Sequence, residues 1–158
     1  FLDLHAATLL SPSSYRIRPD AKRFETWEQY LAGKAALGAA IDYALSWDVG
    51  VTRDRIYGLA AVLRDKLTAV DGITVTDEGE EKCGIVTFMA EQMSSAGIKE
   101  SLSADGINVS TSGHSGSLVS YQPRGLNELV RASLHYYNTR AEIDYFVTAL
   151  RKVLNGNN

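Results

Sequence analysis

The amino-acid sequence predicts an α+β domain, in which helices pack on one face of a small, mostly antiparallel β-sheet. Three observations support this. Apolar residues recur at helical spacing in several segments, short β-rich runs lie between these segments, and a single acidic loop separates two of the runs. The predicted order of elements is α-α-β-β-α-β-β-α. A chain of 158 residues suits one such domain or one large piece of a longer chain, and at this size roughly two thirds of the unfolded surface can be buried.

The composition argues against several classes of protein. The net charge is −3 and the basic residues are dispersed, whereas a nucleic-acid interface needs a clustered basic face. No apolar run approaches the roughly 18 residues that span a membrane, and no charged-then-apolar leader is visible. The single cysteine, Cys83, excludes an internal disulfide and a cysteine-rich metal site. It fits a reducing compartment, so we expect a cytoplasmic protein.

Residues 1–25 show no sustained periodicity and carry many charges, so we predict a connecting arm here and a domain over residues 26–158. A short strand is possible over residues 1–5, and residues 10–14 have the composition of a turn. Because about 25 irregular residues are unusual inside a compact domain, we expect the arm to pack on something that this sequence does not contain.

Two long helices are predicted next. The first is expected to begin at a capping box from Thr26 to Gln29 and to reach about residue 45. The second is expected to begin at Thr52 as N-cap and to stop before Gly72, which suits the left-handed conformation that often follows a helix. Its apolar residues repeat every three or four positions, and this stripe predicts an amphipathic helix.

The middle of the chain supplies most of the sheet. Residues 73–76 and 84–89 are β-rich and could pair as an antiparallel hairpin across the acidic loop 77–82. A third helix is predicted over residues 94–104 and a third strand over residues 107–110.

Residues 130–139 have the pattern of a strand that ends at a helix cap. Val130 and Ala132 fall on one face at a spacing of two and predict a buried face, whereas Arg131 falls on the other and would point into a cleft. Thr139, followed three residues later by a glutamate, predicts a capping box at the start of the last helix. The pattern does not say what Arg131 binds, and a surface arginine paired with a neighbouring acid is the simpler alternative.

Four stretches, in the same order along the chain, resemble one family. They are residues 23–25, 71–88, 104–109 and the strand of Arg131, which reads Val-Arg-Ala-Ser-Leu-His-Tyr-Tyr-Asn-Thr. Together they resemble the C-terminal small domain of class V aminotransferases. These are fold-type-I pyridoxal-phosphate (PLP) enzymes that include cysteine desulfurases and isopenicillin-N-epimerase-like proteins. The Trp-Glu pair at residues 27–28 looks more like the epimerase-like branch.

The resemblance implies the fold of such a small domain, in an enzyme that transaminates, epimerises or eliminates from an amino acid. The large domain, which carries the lysine that holds PLP, has no counterpart in this sequence. We therefore expect no catalytic residue in this chain and no activity from it alone, with PLP bound mainly by the missing large domain of a homodimer. Arg131 would bind the α-carboxylate of the amino-acid substrate.

Residues 111–122 are rich in Ser and Gly and predict a loop. By resemblance, His114 and Ser115 lie where desulfurases carry their catalytic cysteine, so they form a possible active-site loop. Neither has a thiol, which disfavours a persulfide-forming desulfurase, and Cys83 is expected to be a small buried residue. An exposed polar loop residue is the simpler interpretation of His114.

A second hypothesis comes from another class of protein. It is a free-standing α+β interaction or small-ligand-binding module without a cofactor, which would explain the short chain directly. The charged arm argues against it. Neither hypothesis includes a metal site or a membrane.

Overall fold

A computed structural model describes residues 5–25, 28–116 and 118–156 of the chain. The chain divides into two compact units, Phe1–Trp47 and Asp48–Asn158. The second unit contains a four-stranded antiparallel sheet and the helices that cover it, which confirms the predicted α+β class. Within the described part of the chain, no helix is both long enough and apolar enough to cross a membrane.

The first unit contains a β-hairpin that the sequence analysis missed. Strand β1 (Ala7–Ser11) pairs antiparallel with strand β2 (Ser14–Ile17), and the hydroxyl oxygens of the two serines at the turn lie 2.7 Å apart. The expectation of an irregular segment was therefore wrong here, because neither strand has the buried, alternating face by which strands are recognised. The division into an arm over residues 1–25 and a domain over residues 26–158 stays a prediction.

Helix α1 (Leu31–Ser46) begins later than predicted. Its N-cap is Tyr30, whose side chain makes no capping hydrogen bond, and the first two residues of the predicted capping box lie outside the described residues. Although α1 is rich in Leu and Ala, none of its residues is buried. A single exposed helix of this composition has no apolar stripe that could have marked its ends.

Helix α2 (Val49–Thr68) begins four residues before the predicted start, so Thr52 is not its N-cap. Asp48 caps it instead: Oδ1 accepts hydrogen bonds from the backbone N–H of Gly50 (2.8 Å) and Val51 (3.3 Å). Aspartate is at least as good a cap as threonine, and it is one of the few residues that tolerate a positive φ, here 62°. The predicted stop is confirmed, since Gly72 has a φ of 75°.

The sheet has the strand order β3-β4-β6-β5, with every neighbouring pair antiparallel. Its strands are β3 (Ile73–Val75), β4 (Ile85–Ala90), β5 (Ser110–Gly113) and β6 (Glu128–Ser133). The predicted β3–β4 hairpin across the acidic loop is confirmed, and β6 occupies an interior position. The Arg131 strand therefore forms hydrogen bonds with a neighbour on each side.

The segment predicted as a loop is mostly ordered backbone. Its start belongs to β5, which begins three residues later than the predicted third strand. A 3-10 turn over residues 114–116, helix α4 (Leu118–Tyr121) and a second 3-10 turn over residues 122–124 follow. Polar Ser and Gly residues at a sheet edge give no apolar periodicity, so composition alone could not show this.

The main core lies on one face of the sheet, as predicted. Helices α2, α3 (Ser95–Ala104) and α5 (Arg140–Asn155) cover this face, and their apolar stripes meet the inward side chains of the two inner strands. The rings of Phe88 on β4 and Phe146 on α5 meet edge to face, with centroids 6.2 Å apart. The largest fully buried side chains are Phe88, Leu63, Leu67, Ile98, Leu102, Ile143, Leu150, Val86 and Val130.

The opposite face of the sheet is only partly covered. A second, smaller cluster of Tyr121, Leu126 and Leu129, with Met89 packed against it, lies over one end of this face. Among the described residues of the second unit, the longer helices α2, α3 and α5 pack on the other face. We call the partly covered side the open face, and it is where the candidate site lies.

A half-buried ion pair holds the acidic loop between β3 and β4. Arg64 Nε on α2 lies 2.6 Å from Asp77 Oδ2, and Arg64 Nη2 donates to the backbone carbonyls of Cys83 (2.8 Å) and Ile85 (3.3 Å). One arginine thus fixes both ends of the loop. Cys83, which follows the acidic loop, is exposed, so the expectation that it is a small buried residue was wrong.

Replacing Arg64 by Ala is expected to lower the free energy of unfolding by about 3 kcal/mol, because the half-buried Asp77 carboxylate loses its counter-charge and two carbonyls lose a donor. The matched control is Arg53→Ala on the same helix, whose ion pair with Asp54 is more than half exposed and should contribute about 0.5 kcal/mol or less. Urea unfolding followed by circular dichroism measures both. Equal effects of the two variants would contradict a structural role for the Arg64 pair.

Candidate functional site

Arg131 lies in the middle of the open face. It is opposite Thr87 on β4 and opposite Ser110 on β5. Directly opposite residues in an antiparallel sheet project to the same side, with Cβ atoms about 5 Å apart. The three side chains therefore form a row across the sheet, with the guanidinium group at its centre.

The two neighbours of Arg131 along β6 explain why it faces outward. Val130 is fully buried and Ala132 is 7% exposed, and both belong to the core under the helices. Because side chains alternate along a strand, anchoring these two in the core directs Arg131 to the opposite face. The predicted alternation is confirmed for these residues, although the strand ends at Ser133, several residues before the helix cap at Thr139.

Arg131 is half-buried, and within the described ranges it forms no ion pair and no side-chain hydrogen bond. This differs from Arg64, which is paired with Asp77, and from Arg124, whose Nε lies 3.0 Å from Glu78 Oε1. The simpler alternative was a surface arginine paired with a neighbouring acid. Among the described residues, no acid pairs with Arg131. A guanidinium group with its N–H donors unused is available to an anion from outside the chain.

Hydroxyl groups extend the row beyond Arg131. Thr87 Oγ1 lies 2.8 Å from Thr76 Oγ1, and the backbone N–H of Thr76 donates to the carbonyl of Thr87, also at 2.8 Å. Thr76 is buried, and its carbonyl accepts a hydrogen bond from Arg124. Sequence reasoning missed both threonines, because threonine is ordinary in strands and only the register shows that Thr87 lies beside an arginine.

His114 and Ser115 lie in the 3-10 turn directly after β5, where the backbone N–H of His114 donates to the carbonyl of Asn127 at 2.8 Å. His114 is four residues along the chain from Ser110, the partner of Arg131, which corresponds to about 13 Å of strand. The structure thus places this loop at the far end of β5 and not against Arg131. Its role as an active-site loop stays a prediction.

The turn after β6 is built by hydrogen bonds to Asn138 and by a helix cap. The backbone N–H of His135 donates to Asn138 Oδ1 at 2.8 Å, and the rings of residues 135–137 pack on one another. The predicted capping box is confirmed: Thr139 Oγ1 accepts from the N–H of Glu142, whose carboxylate accepts from the N–H of Thr139. The pKa of Glu142 is lowered, mainly by the hydrogen bond from the backbone N–H of Thr139 and to a smaller extent by the one from the Thr139 hydroxyl.

A groove of about 420 Å³ lies elsewhere, between residues 106–109, the end of β6 and helix α5. It does not include Arg131. Its one carboxylate, that of Glu142, is already engaged in the capping box. Within the described ranges, no three His, Cys, Asp or Glu side chains are grouped as metal ligands. The unpaired guanidinium on the open face is therefore the better candidate for a functional site.

A PLP cofactor needs an amine that holds it. The register places these residues of the sheet on the open face: Thr74, Ile85, Thr87, Met89, Ser110, Ser112, Leu129, Arg131 and Ser133. None of these strand residues is a lysine. Elsewhere, Lys66 pairs with Asp144 at 2.8 Å on the helical side. The face thus offers donors for an anion but does not fit the amine-bearing half of a PLP site.

In the described part of the chain, fold and site together define a small α+β domain that presents an unpaired arginine on a sheet face of mixed polarity, which a small apolar cluster partly covers. The family model of the class V aminotransferases matches residues 7–146. The chain belongs to the class V aminotransferase family, which confirms the family indicated by the four sequence stretches.

Relatives are similar to this chain over most of its length. A probable cysteine desulfurase of Xylella fastidiosa is 33% identical over 132 residues, which cover 83% of this chain and 31% of the relative. A cysteine desulfurase of Synechococcus elongatus is 27% identical over 141 residues, covering 88% of this chain and 22% of the relative. The chain thus spans a third or less of the length of these two relatives.

Similar folds are found in solved structures. The apo cysteine desulfurase of Thermococcus onnurineus superposes with a TM-score of 0.77 at 22% identity, over 98% of this chain and 39% of that structure. A cysteine desulfurase of Escherichia coli gives 0.75 at 19% identity, over 97% and 38%. A variant of the C-DES protein, with glycine covalently linked to its PLP cofactor, gives 0.65 at 18% identity, over 96% and 37%. At these identities the likeness establishes the fold.

The lowered pKa of Glu142 leads to a pH-dependent prediction. A carboxylate whose pKa is lower in the folded state stabilises that state above its ordinary pKa, and this contribution is lost as the pH falls through the lowered value. The difference in Tm between the natural chain and Glu142→Gln should therefore narrow as the pH falls below about 5. Thermal unfolding at a series of pH values measures this difference.

The control is Glu100→Gln, an exposed position on α3 that has no part in the cap. It removes one carboxylate of the domain without touching the cap, so it accounts for the general effect of losing a charge. If the Glu142→Gln difference varied with pH no more than that of Glu100→Gln, the charged form of Glu142 would not contribute to the cap.

Proposed function

We propose that this chain is the small domain of a PLP-dependent class V aminotransferase-like enzyme that acts on an amino acid. Its own contribution is Arg131, which binds the α-carboxylate of the substrate. The observation that carries the proposal is a half-buried arginine, fixed on an interior strand, that has no ion-pair partner in the described part of the chain. Membership of the class V family supports the reaction class.

A carboxylate is the anion that best suits this site. The guanidinium group is planar and can donate two parallel hydrogen bonds to the two oxygens of a carboxylate. Val130 and Ala132 anchor the strand in the core, so the backbone that carries the arginine is already fixed before the ligand binds. Less conformational entropy is therefore lost on binding. Arg131 would thus fix the position and the orientation of the amino acid.

We infer that PLP is held by the rest of the longer polypeptide, in a cytoplasmic homodimer, and that this chain alone is inactive. The strands of the open face carry no lysine, and the chain spans only a third or less of the two relatives compared. PLP supplies an electron sink that stabilises negative charge at the α-carbon of a bound amino acid. The role left to this chain is to bind and orient the carboxylate.

The reaction is transamination, epimerisation or elimination, and the absence of a thiol from residues 113–117 supports these over persulfide formation at that loop. The similar proteins are named as cysteine desulfurases, but the one cysteine of this chain lies exposed before β4. A serine hydroxyl cannot take up sulfane sulfur in place of a thiol. We accordingly keep the epimerase-like branch as the proposed affiliation.

In the full-length enzyme, Arg131→Ala should raise KM for the amino acid by roughly 30- to 900-fold, which corresponds to about 2–4 kcal/mol for a lost charge-assisted contact. Binding of PLP itself should be unaffected. The control is Arg140→Ala, which removes an exposed arginine at the start of α5. Steady-state kinetics with the most active of the common amino acids measures both variants. An unchanged KM in Arg131→Ala would remove this residue from the substrate site.

Adding PLP to the 158-residue chain and to the full-length gene product tests where the cofactor lies. The full-length protein should develop a visible absorption band of bound PLP, and the short chain should not, because it lacks the required lysine. A band in the short chain would place the amine within it. If neither protein developed one, a cofactor-free interaction or ligand-binding module would be the better account.

A further inference from the structure

We propose that the hydroxyl of Thr87 is a second donor to the anion bound by Arg131, and that Thr76 orients it. This inference rests on the proposed function and extends it to residues that the sequence analysis did not single out. It concerns binding of the carboxylate and not the chemistry at the α-carbon.

The register supplies the first step. Thr87 and Arg131 are direct partners across the β4–β6 ladder and face the same side of the sheet. The side chain of Thr87 is half-buried, whereas its neighbours Val86 and Phe88 are fully buried in the core on the opposite face. The hydroxyl therefore lies on the same face as Arg131, beside the base of the arginine side chain, and cannot turn to the helical side without breaking the alternation of β4.

Burial sets the direction of the hydrogen bond between the two threonines. A hydroxyl carries one proton and two acceptor sites, and a buried donor needs an acceptor. Thr76 is 6% exposed, and Thr87 Oγ1, at 2.8 Å, is the one acceptor recorded for its side chain among the described residues. Thr76 is accordingly the donor and Thr87 the acceptor. The proton of Thr87 stays unused on the open face.

The position of Thr76 is itself fixed. Its backbone N–H donates to the carbonyl of Thr87, and its own carbonyl accepts a hydrogen bond from Arg124, which is paired with Glu78. These contacts hold Thr76 Oγ1 against Thr87 Oγ1. The free O–H of Thr87 thus has a partner that limits its rotation before any ligand binds.

A guanidinium group and a hydroxyl that project from opposite residues on the same face suit a carboxylate better than a neutral polar group. A carboxylate has about four lone-pair sites on two oxygens, so it can accept two N–H donors and one O–H donor together. A hydrogen bond to a charged acceptor is about twice as strong as one between neutral groups. Thr87 would therefore favour a carboxylate over a carboxamide at this position.

The test uses the full-length enzyme loaded with PLP. Glycine is the probe, because it carries the α-carboxylate and no side chain, and glycinamide is the matched probe without that charge. Their apparent Kd values come from titration of the visible spectrum. Thr87→Val replaces the hydroxyl by a methyl group of similar size and retains a β-branched side chain. Thr87→Ser restores the hydroxyl.

Thr87→Val should weaken glycine binding about tenfold, the loss expected for one hydrogen bond to a charged group. Its affinity for glycinamide should change less than twofold, and Thr87→Ser should bind glycine nearly as well as the natural enzyme. Thr74→Val, on the same face but opposite Met89, is the control and should change neither affinity. A merely structural role of Thr87 would weaken both probes alike.

The outcomes separate this inference from the proposed function. If Arg131→Ala weakens glycine binding and Thr87→Val does not, the inference is overturned and the carboxylate clamp stands. If neither variant weakens it, the clamp itself is overturned. Should Thr87→Val fold poorly, Thr87→Ala removes the same hydroxyl with less volume and answers the same question. Thr76→Val should weaken glycine binding by a smaller factor, and an unchanged Kd would overturn its orienting role.

Discussion

The interior position of β6 is the constraint on which the candidate site depends. Its alternate residues Val130 and Ala132 fill the core under three helices, while hydrogen bonds to β4 and β5 hold the strand on both sides. Burial of these two apolar side chains contributes a few kcal/mol of stability, and turning the strand over would expose them and place the guanidinium group in the core. The core therefore decides which way Arg131 faces.

Three arginines of the second unit differ in whether a carboxylate of the domain pairs with them, and this difference distinguishes a structural role from a functional one. Arg64 and Arg124 are both engaged by carboxylates of the acidic loop, and both also donate to backbone carbonyls, so their charge is used in holding β3, β4 and the loop together. Arg131 is also half-buried, but it has no such partner among the residues that the structure describes. An unpaired charge is costly to keep in a folded protein, and a bound anion would offset that cost.

The sequence was sufficient where a periodic apolar pattern or a specific capping motif existed. The amphipathic helices, the β3–β4 hairpin, the outward face of Arg131 and the capping box at Thr139 were all predicted from such patterns. The first hairpin, the ordered backbone of the Ser- and Gly-rich segment and the cap at Asp48 were missed. These elements are exposed or polar. They are held by backbone hydrogen bonds, which do not require a periodic pattern of apolar residues in the sequence. The pair of Thr87 and Thr76 could not be found without the register between strands, which depends on non-local contacts.

The alternation along β6 also bears on how this chain can change in evolution. Inserting or deleting one residue within Glu128–Ser133 would exchange the two faces and bury a guanidinium group among aliphatic side chains. Such a change would disrupt the fold and the site together, so it should not be tolerated. The turn at residues 135–138 lies outside the ladder and is closed by hydrogen bonds between His135 and Asn138, so its length is less constrained than that of the strand. Variation in loop length among descendants of this domain should therefore concentrate after the strand, and the spacing between core and arginine should be inherited unchanged.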